Sequence, residues 1–189
     1  MESIANSFYD GIWHIVNWPK FEFLLFVVAI AALATFKDWK KLLVISLVFT
    51  LAFLIGILLA HFNVFDFKAS MLLMVQSVLL MVLAIFNFTP AGKTSRGNFR
   101  VIAGGLVGLV GGLSVKQPVL LKLLGENFLS DLPAFMLGVE AGVLGAILFI
   151  LVMSWLVATA FGMPKRDWTL ILSGAVIGIA LTLLMRALF

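Results

Sequence analysis

Apolar residues fill this chain in long runs, and polar residues collect between the runs in short stretches. The runs cover about residues 21–36, 42–60, 70–88, 101–115, 132–161 and 168–188. A helix needs roughly 20 apolar residues to cross the hydrocarbon core of a bilayer. The pattern therefore predicts six membrane-crossing helices, the first of them short. Residues 1–18 read differently. Ile4, Phe8, Ile12 and Ile15 recur at helical spacing, Asn6 and Asp10 lie elsewhere, and Trp13 and Trp18 suit the headgroup level. They predict an interfacial helix, ended by Pro19. The expected architecture is all-α, a single polytopic membrane domain over residues 1–189.

The punctuation supports these limits. The stretch KDWKK closes the first run, TPAGKTSRGNFR forms the longest polar connection, and GMPKRD separates the last two spans. Asp131 and Pro133 suit the cap and first turn of the fifth span. A short apolar helix is expected over 118–124, stopped by Gly125. Asp38–Trp39 and Asp167–Trp168 each stand at the start of an even-numbered span, an echo that either a duplication or helix capping explains.

The fifth run is organised around Glu140, the one ionisable side chain between Leu132 and Phe161. A carboxylate inside a membrane span costs at least ~2.5 kcal/mol, so it requires a partner, a proton or water. On a helix Gly138, Gly142 and Gly145 form a ridge, and Glu140 lies away from it, with Met136, Val143 and Ile147. Gly104, Gly108 and Gly112, with Gly174 and Gly178, carry the small-residue spacing that lets helices approach closely. The expectation is a tight bundle of spans four, five and six.

Composition narrows the function. The 189 residues are 63% hydrophobic and 12% charged, which leaves no room for a separate soluble domain. There are no cysteines, which excludes disulfides and thiolate metal sites. The net charge of +4 reads as lysines and arginines anchoring loops, not as a nucleic-acid surface. Eight basic residues (Lys37, Lys40, Lys41, Lys93, Arg96, Arg100, Lys165, Arg166) follow odd-numbered spans, against five on the other side (Lys20, Lys68, Lys116, Lys122, Arg186). That places both termini outside the cytoplasm. No basic stretch precedes an apolar one at the N-terminus, so no cleavable signal peptide is expected. No phosphate loop, zinc-protease motif or nucleophile–base set is present, which argues against an enzyme.

On this topology Glu140, Gln76, Glu22, His61 and His14 all fall in the outer half of the membrane, Glu140 roughly 12 Å deep. Each also has a plainer reading. Glu22 suits a helix N-terminus, His61 a helix end, His14 a surface helix, Gln76 a hydrogen bond to a neighbouring helix. Met71, Met74 and Met81 could hold copper(I) or simply fill space.

The order of motifs is similar to a known family. Gly11-Ile-Trp-His14, EFLLF (22–26), DWKKLL (38–43), VFTLAF (48–53), Asn87, GLVGLVGGL (105–113), AFMLGVEAG (134–142) and RDWTLILSGAVIGIAL (166–181) resemble the HupE/UreJ family across nearly the whole chain. Those are bacterial membrane proteins associated with hydrogenase and urease maturation and regarded as nickel or cobalt permeases. The resemblance implies an inner-membrane location and a divalent transition-metal ion as transported substrate; no cofactor is assigned. It implies metal contacts at Glu140, Glu22 and His14.

The departures fall on ligands. The family pattern has histidines where this chain has Phe23, Phe53 and Gly104, and amides where it has Met136 and Val143. Nickel and cobalt favour imidazole donors, and three are gone. Two functions follow as alternatives: a divergent metal-cation permease, or a non-transporting scaffold or accessory subunit. The lipid bilayer is the expected partner, with a second copy or another membrane protein.

Overall fold

A computed structural model describes residues 2–16, 21–62, 67–88, 95–115, 123 and 128–189. The described residues form seven α-helices and no strand. These are α1 (Glu2–Val16), α2 (Glu22–Ala31), α3 (Trp39–His61), α4 (Ala69–Phe86), α5 (Ser95–Leu113), α6 (Phe128–Ala160) and α7 (Lys165–Leu188), with a 3₁₀ turn at Phe36–Asp38. The short helix expected over 118–124 falls almost wholly outside the described residues.

The all-α reading stands, and four helices are long and apolar enough to cross a membrane: α3 with its preceding turn, α4, α6 and α7. The apolar parts of α2 and α5, Glu22–Ala31 and Asn98–Leu113, are shorter.

The central post is α2. A helix that is apolar all round suits either lipid or a protein core, and α2 takes the core. Phe23, Leu25, Phe26, Val27, Ala29, Ile30 and Ala31 are buried, seven of its 10 residues. Around it stand three helix pairs, α3 with α5, α1 with α6, and α4 with α7. Phe26 stacks on Phe49 at 5.1 Å, and Phe49 on Phe53 at 5.9 Å, tying α2 to α3 through aromatic faces.

The first span ends sooner than its composition predicts, at Ala31 and not near Phe36. Nothing local stops it, since Ala-Ala-Leu-Ala continues a helix well. Tertiary partners take its last carbonyls instead. Asn87 Nδ2 donates to Ala29 O at 2.9 Å, and Thr169 Oγ1 donates to Ala32 O at 2.9 Å. Asn87 also donates to Ser173 Oγ at 3.0 Å and accepts from Arg100 Nη2 at 3.0 Å. Non-helical backbone inside an apolar bundle is tolerated where protein satisfies it.

Two other limits shift. Helix α5 begins at Ser95, inside the expected polar connection, and brings Phe99 against Phe86 at 4.1 Å and Arg100 to Asn87. Helix α6 begins at Phe128, so Pro133 lies inside it and not in its first turn. The carbonyl that Pro133 cannot satisfy belongs to Leu129, which is 85% exposed, so the loss is small.

The expected bundle of spans four to six does not form. Glycines of α5 meet α3: a Cβ on Gly112 would sit 2.1 Å from Phe53 O, and one on Gly56 2.3 Å from Leu109 O. Gly138 and Gly142 of α6 face α1, while a Cβ on Gly145, Gly174 or Gly178 would meet nothing within 4 Å among the described residues outside its own helix backbone. Small-residue spacing licenses a close approach without naming the partner.

Candidate functional site

Glu140 lies on α6, 12 residues after its start at Phe128. Facing it, α3 places Ser46 and Thr50 one turn apart on the same side. Ser46 Oγ donates to Glu140 Oε1 at 2.7 Å, and Thr50 Oγ1 donates to Oε2 at 2.5 Å. Ser46 Oγ also lies 3.0 Å from Leu43 O, so its single proton is shared between its own helix and the carboxylate. Ser46 is fully buried, and Thr50 and Glu140 are half-buried. Each carboxylate oxygen thus has one hydroxyl donor and keeps acceptor capacity for a further positive partner. Among the described residues the set is carboxylate and hydroxyl only, which suits a proton or an oxygen-preferring cation.

His14 is turned into the bundle, with its imidazole centroid 5.5 Å from Phe23, 5.6 Å from Phe53 and 5.7 Å from Phe135. Helix α1 brings it there by crossing α6 at Gly11 and Gly138. Phe23 and Phe53 also meet at 5.9 Å, and a Cβ on Gly111 would touch both rings. These are two of the three positions where the resembled pattern has histidine, so the fold still gathers them around His14, with phenyl groups in place of imidazoles. The third, Gly104, packs beside Ile45 and Phe26.

The remaining expected residues are dispersed. Glu22 opens α2 and is half-buried. His61 is exposed at the end of α3, its ring 5.3 Å from that of Phe62. Gln76 is 3% exposed on α4, and its Nε2 has no acceptor among the described residues. Met71, one of the three methionines considered for copper(I), is exposed. Among the described residues no three His, Asp or Glu side chains gather where they could hold one metal ion. Glu140, Glu22 and His14 are therefore not brought together as a shared ligand set.

Sequence reading missed Ser46 and Thr50. Their spacing of four in an otherwise apolar span was the available signal. Hydroxyls in such spans commonly bond their own helix, as Ser77 does to Leu73 O at 2.7 Å, so the pattern alone does not single out a site.

A family model described as HupE / UreJ protein matches residues 1–187, essentially the whole chain, and the chain belongs to that family. It is a membrane protein, as its long apolar helices also indicate. No curated protein and no solved structure matches it significantly.

Proposed function

We propose that this HupE/UreJ family member is a multi-pass protein of a bacterial inner membrane that moves a divalent cation past Glu140, Ser46 and Thr50. The observation that carries the reading is the pair of hydroxyls at 2.7 and 2.5 Å, one on each oxygen of the carboxylate. A carboxylate inside an apolar helix is costly to keep, and here α3 steadies it with one hydroxyl donor per oxygen while each oxygen retains a lone pair for a cation.

Six crossings, α2 to α7, fit the pattern, with the broken end of α2 made tolerable by Asn87 and Thr169. The excess of basic residues after odd-numbered spans favours termini outside the cytoplasm.

The donor set bears on the ion. Nickel and cobalt are the substrates that the family suggests, yet imidazole is scarce here. Oxygen donors alone favour manganese or magnesium. We therefore assign the protein to cation permeation with an altered ion choice.

A second reading, a non-transporting scaffold, is favoured by a different observation. Phe23, Phe53 and Phe135 set three apolar rings around His14.

Uptake into metal-starved cells separates the two. Manganese, magnesium, nickel, cobalt, zinc and copper are measured with the intact protein, Glu140→Gln and empty vector. Accumulation of one metal that the mutant abolishes supports the permease. No accumulation by a correctly inserted protein sinks it in favour of the scaffold.

A further inference from the structure

Helix α2 spans roughly 15 Å for its 10 residues, while the 33 residues of α6 span roughly 50 Å. Beyond the end of α2, the C-terminal part of α6 has no α2 beside it. A cavity of about 400 Å³ lies there, between the α2–α3 connection, the end of α6 and the start of α7. Its walls are mostly apolar and include Ala34, Leu151, Trp155 and Trp168, with Lys37 and Lys165 among the lining residues.

Three features point to the chemistry of an occupant. Neither lysine has a carboxylate within 4 Å among the described residues. The nearby Asp38 is taken up elsewhere, accepting from Thr35 Oγ1 at 2.7 Å and lying 3.5 Å from Lys41 Nζ. Lys165 is partly desolvated and feels Asp38 only at a distance, with Arg100 close enough to add a weaker like charge. Finally, Trp168 Nε1 is buried and has no acceptor among the described residues. An apolar chamber, unpaired ammonium groups and an idle indole donor call for a ligand that is anionic at one end and apolar at the other.

We propose that this cavity binds one anionic phospholipid. Its phosphate sits between Lys37 and Lys165, Trp168 Nε1 donates to a phosphate or ester oxygen, and an acyl chain lies along Leu151 and Trp155. At about 400 Å³ the cavity takes the headgroup and part of one acyl chain, and the rest of the lipid stays in the bilayer. A zwitterionic lipid brings its own cation to the lysines and gains less there, and a free phosphate leaves the apolar walls wet. The same loops carry the excess of basic residues that marks a surface facing anionic lipid. The proposal rests on membrane residence and is independent of whether any ion is transported.

The test is lipid retention by the purified full chain in mild detergent, read by native mass spectrometry. Phosphatidylglycerol and phosphatidylcholine of identical acyl chains are titrated separately, and inorganic phosphate is added as competitor. The expected result is one phosphatidylglycerol per chain, retained at about tenfold lower concentration than phosphatidylcholine. Lys37→Gln with Lys165→Gln removes that preference, Lys37→Arg with Lys165→Arg keeps it, and Trp168→Phe lowers phosphatidylglycerol retention with the ring still in place. Equal retention of the two lipids by the unmodified chain overturns the proposal. So does an unchanged preference in the double glutamine variant, or displacement of the lipid by phosphate at comparable concentration.

Discussion

Gly11 and Gly138 hold α1 against α6 with no space for a side chain on either. A Cβ on Gly11 would lie 2.2 Å from Phe135 O, and one on Gly138 2.0 Å from Phe8 O. Both obstacles are backbone, so relief requires moving a helix and not a side chain. Gly138→Ala should therefore lower stability by about 1–3 kcal/mol, the usual cost of overpacking. Thermal unfolding in detergent checks this, and an unchanged transition would mean that the two helices are not in contact.

Gly174 supplies the opposite case. It lies within α7, and a Cβ there would meet nothing within 4 Å among the described residues outside its own helix backbone. Gly174→Ala should raise stability by about 0.5–1 kcal/mol, because alanine loses less backbone freedom in a helix. A loss comparable to that at Gly138 would show that another helix covers this face.

Asn87 joins four elements through Ala29 O, Ser173 Oγ and Arg100 Nη2. Asn87→Leu removes every one of those bonds and leaves the freed end of α2 without its donor. The expected loss is about 1–3 kcal/mol, larger than for Thr169→Val, which withdraws one hydroxyl from Ala32 O. Chemical denaturation of the two variants side by side gives the order.

Much of this architecture is legible in the sequence, and the gaps have physical causes. Glu140 announces itself, because a lone carboxylate in an apolar run of that length is too costly to be incidental. Its hydroxyl partners do not, since a serine or threonine in a span satisfies itself on its own helix equally well. The early end of α2 leaves no local trace, because Asn87 and Thr169 impose it from 55 or more residues away. Helix pairing is the third gap. The glycines of α5 show that something comes close, but Phe49, Phe53 and Gly56 of α3 are recognisable as that partner only once the helices are placed.

The phenylalanines around His14 yield a gain-of-binding prediction. With Phe23 and Phe53 at 5.5 and 5.6 Å from its ring, Phe23→His with Phe53→His places three imidazoles around one point. Imidazole favours nickel and cobalt, so the double variant should bind nickel on the order of tenfold or more tighter than the parent. Calorimetry in detergent measures it. Equal affinity in parent and variant would mean that the three positions do not converge on a common centre.

Ser46 and Thr50 act through the carboxylate that they hold. Ser46→Ala and Thr50→Val should each lower cation flux by about five- to thirty-fold, the equivalent of ~1–2 kcal/mol per lost donor. Ser46→Thr, which keeps a hydroxyl, should recover most of that loss. Initial uptake rates at several cation concentrations separate weaker binding from slower passage.

The central claim, that Glu140 contacts a moving cation, is tested most directly by manganese flux into proteoliposomes containing the purified protein. The unmodified chain should load the vesicles with saturable kinetics, and Glu140→Gln, inserted and helical to the same extent, should fall to the level of protein-free vesicles. Equal flux through both proteins would contradict the assignment, because a carboxylate that can be neutralised without consequence is not the cation's contact.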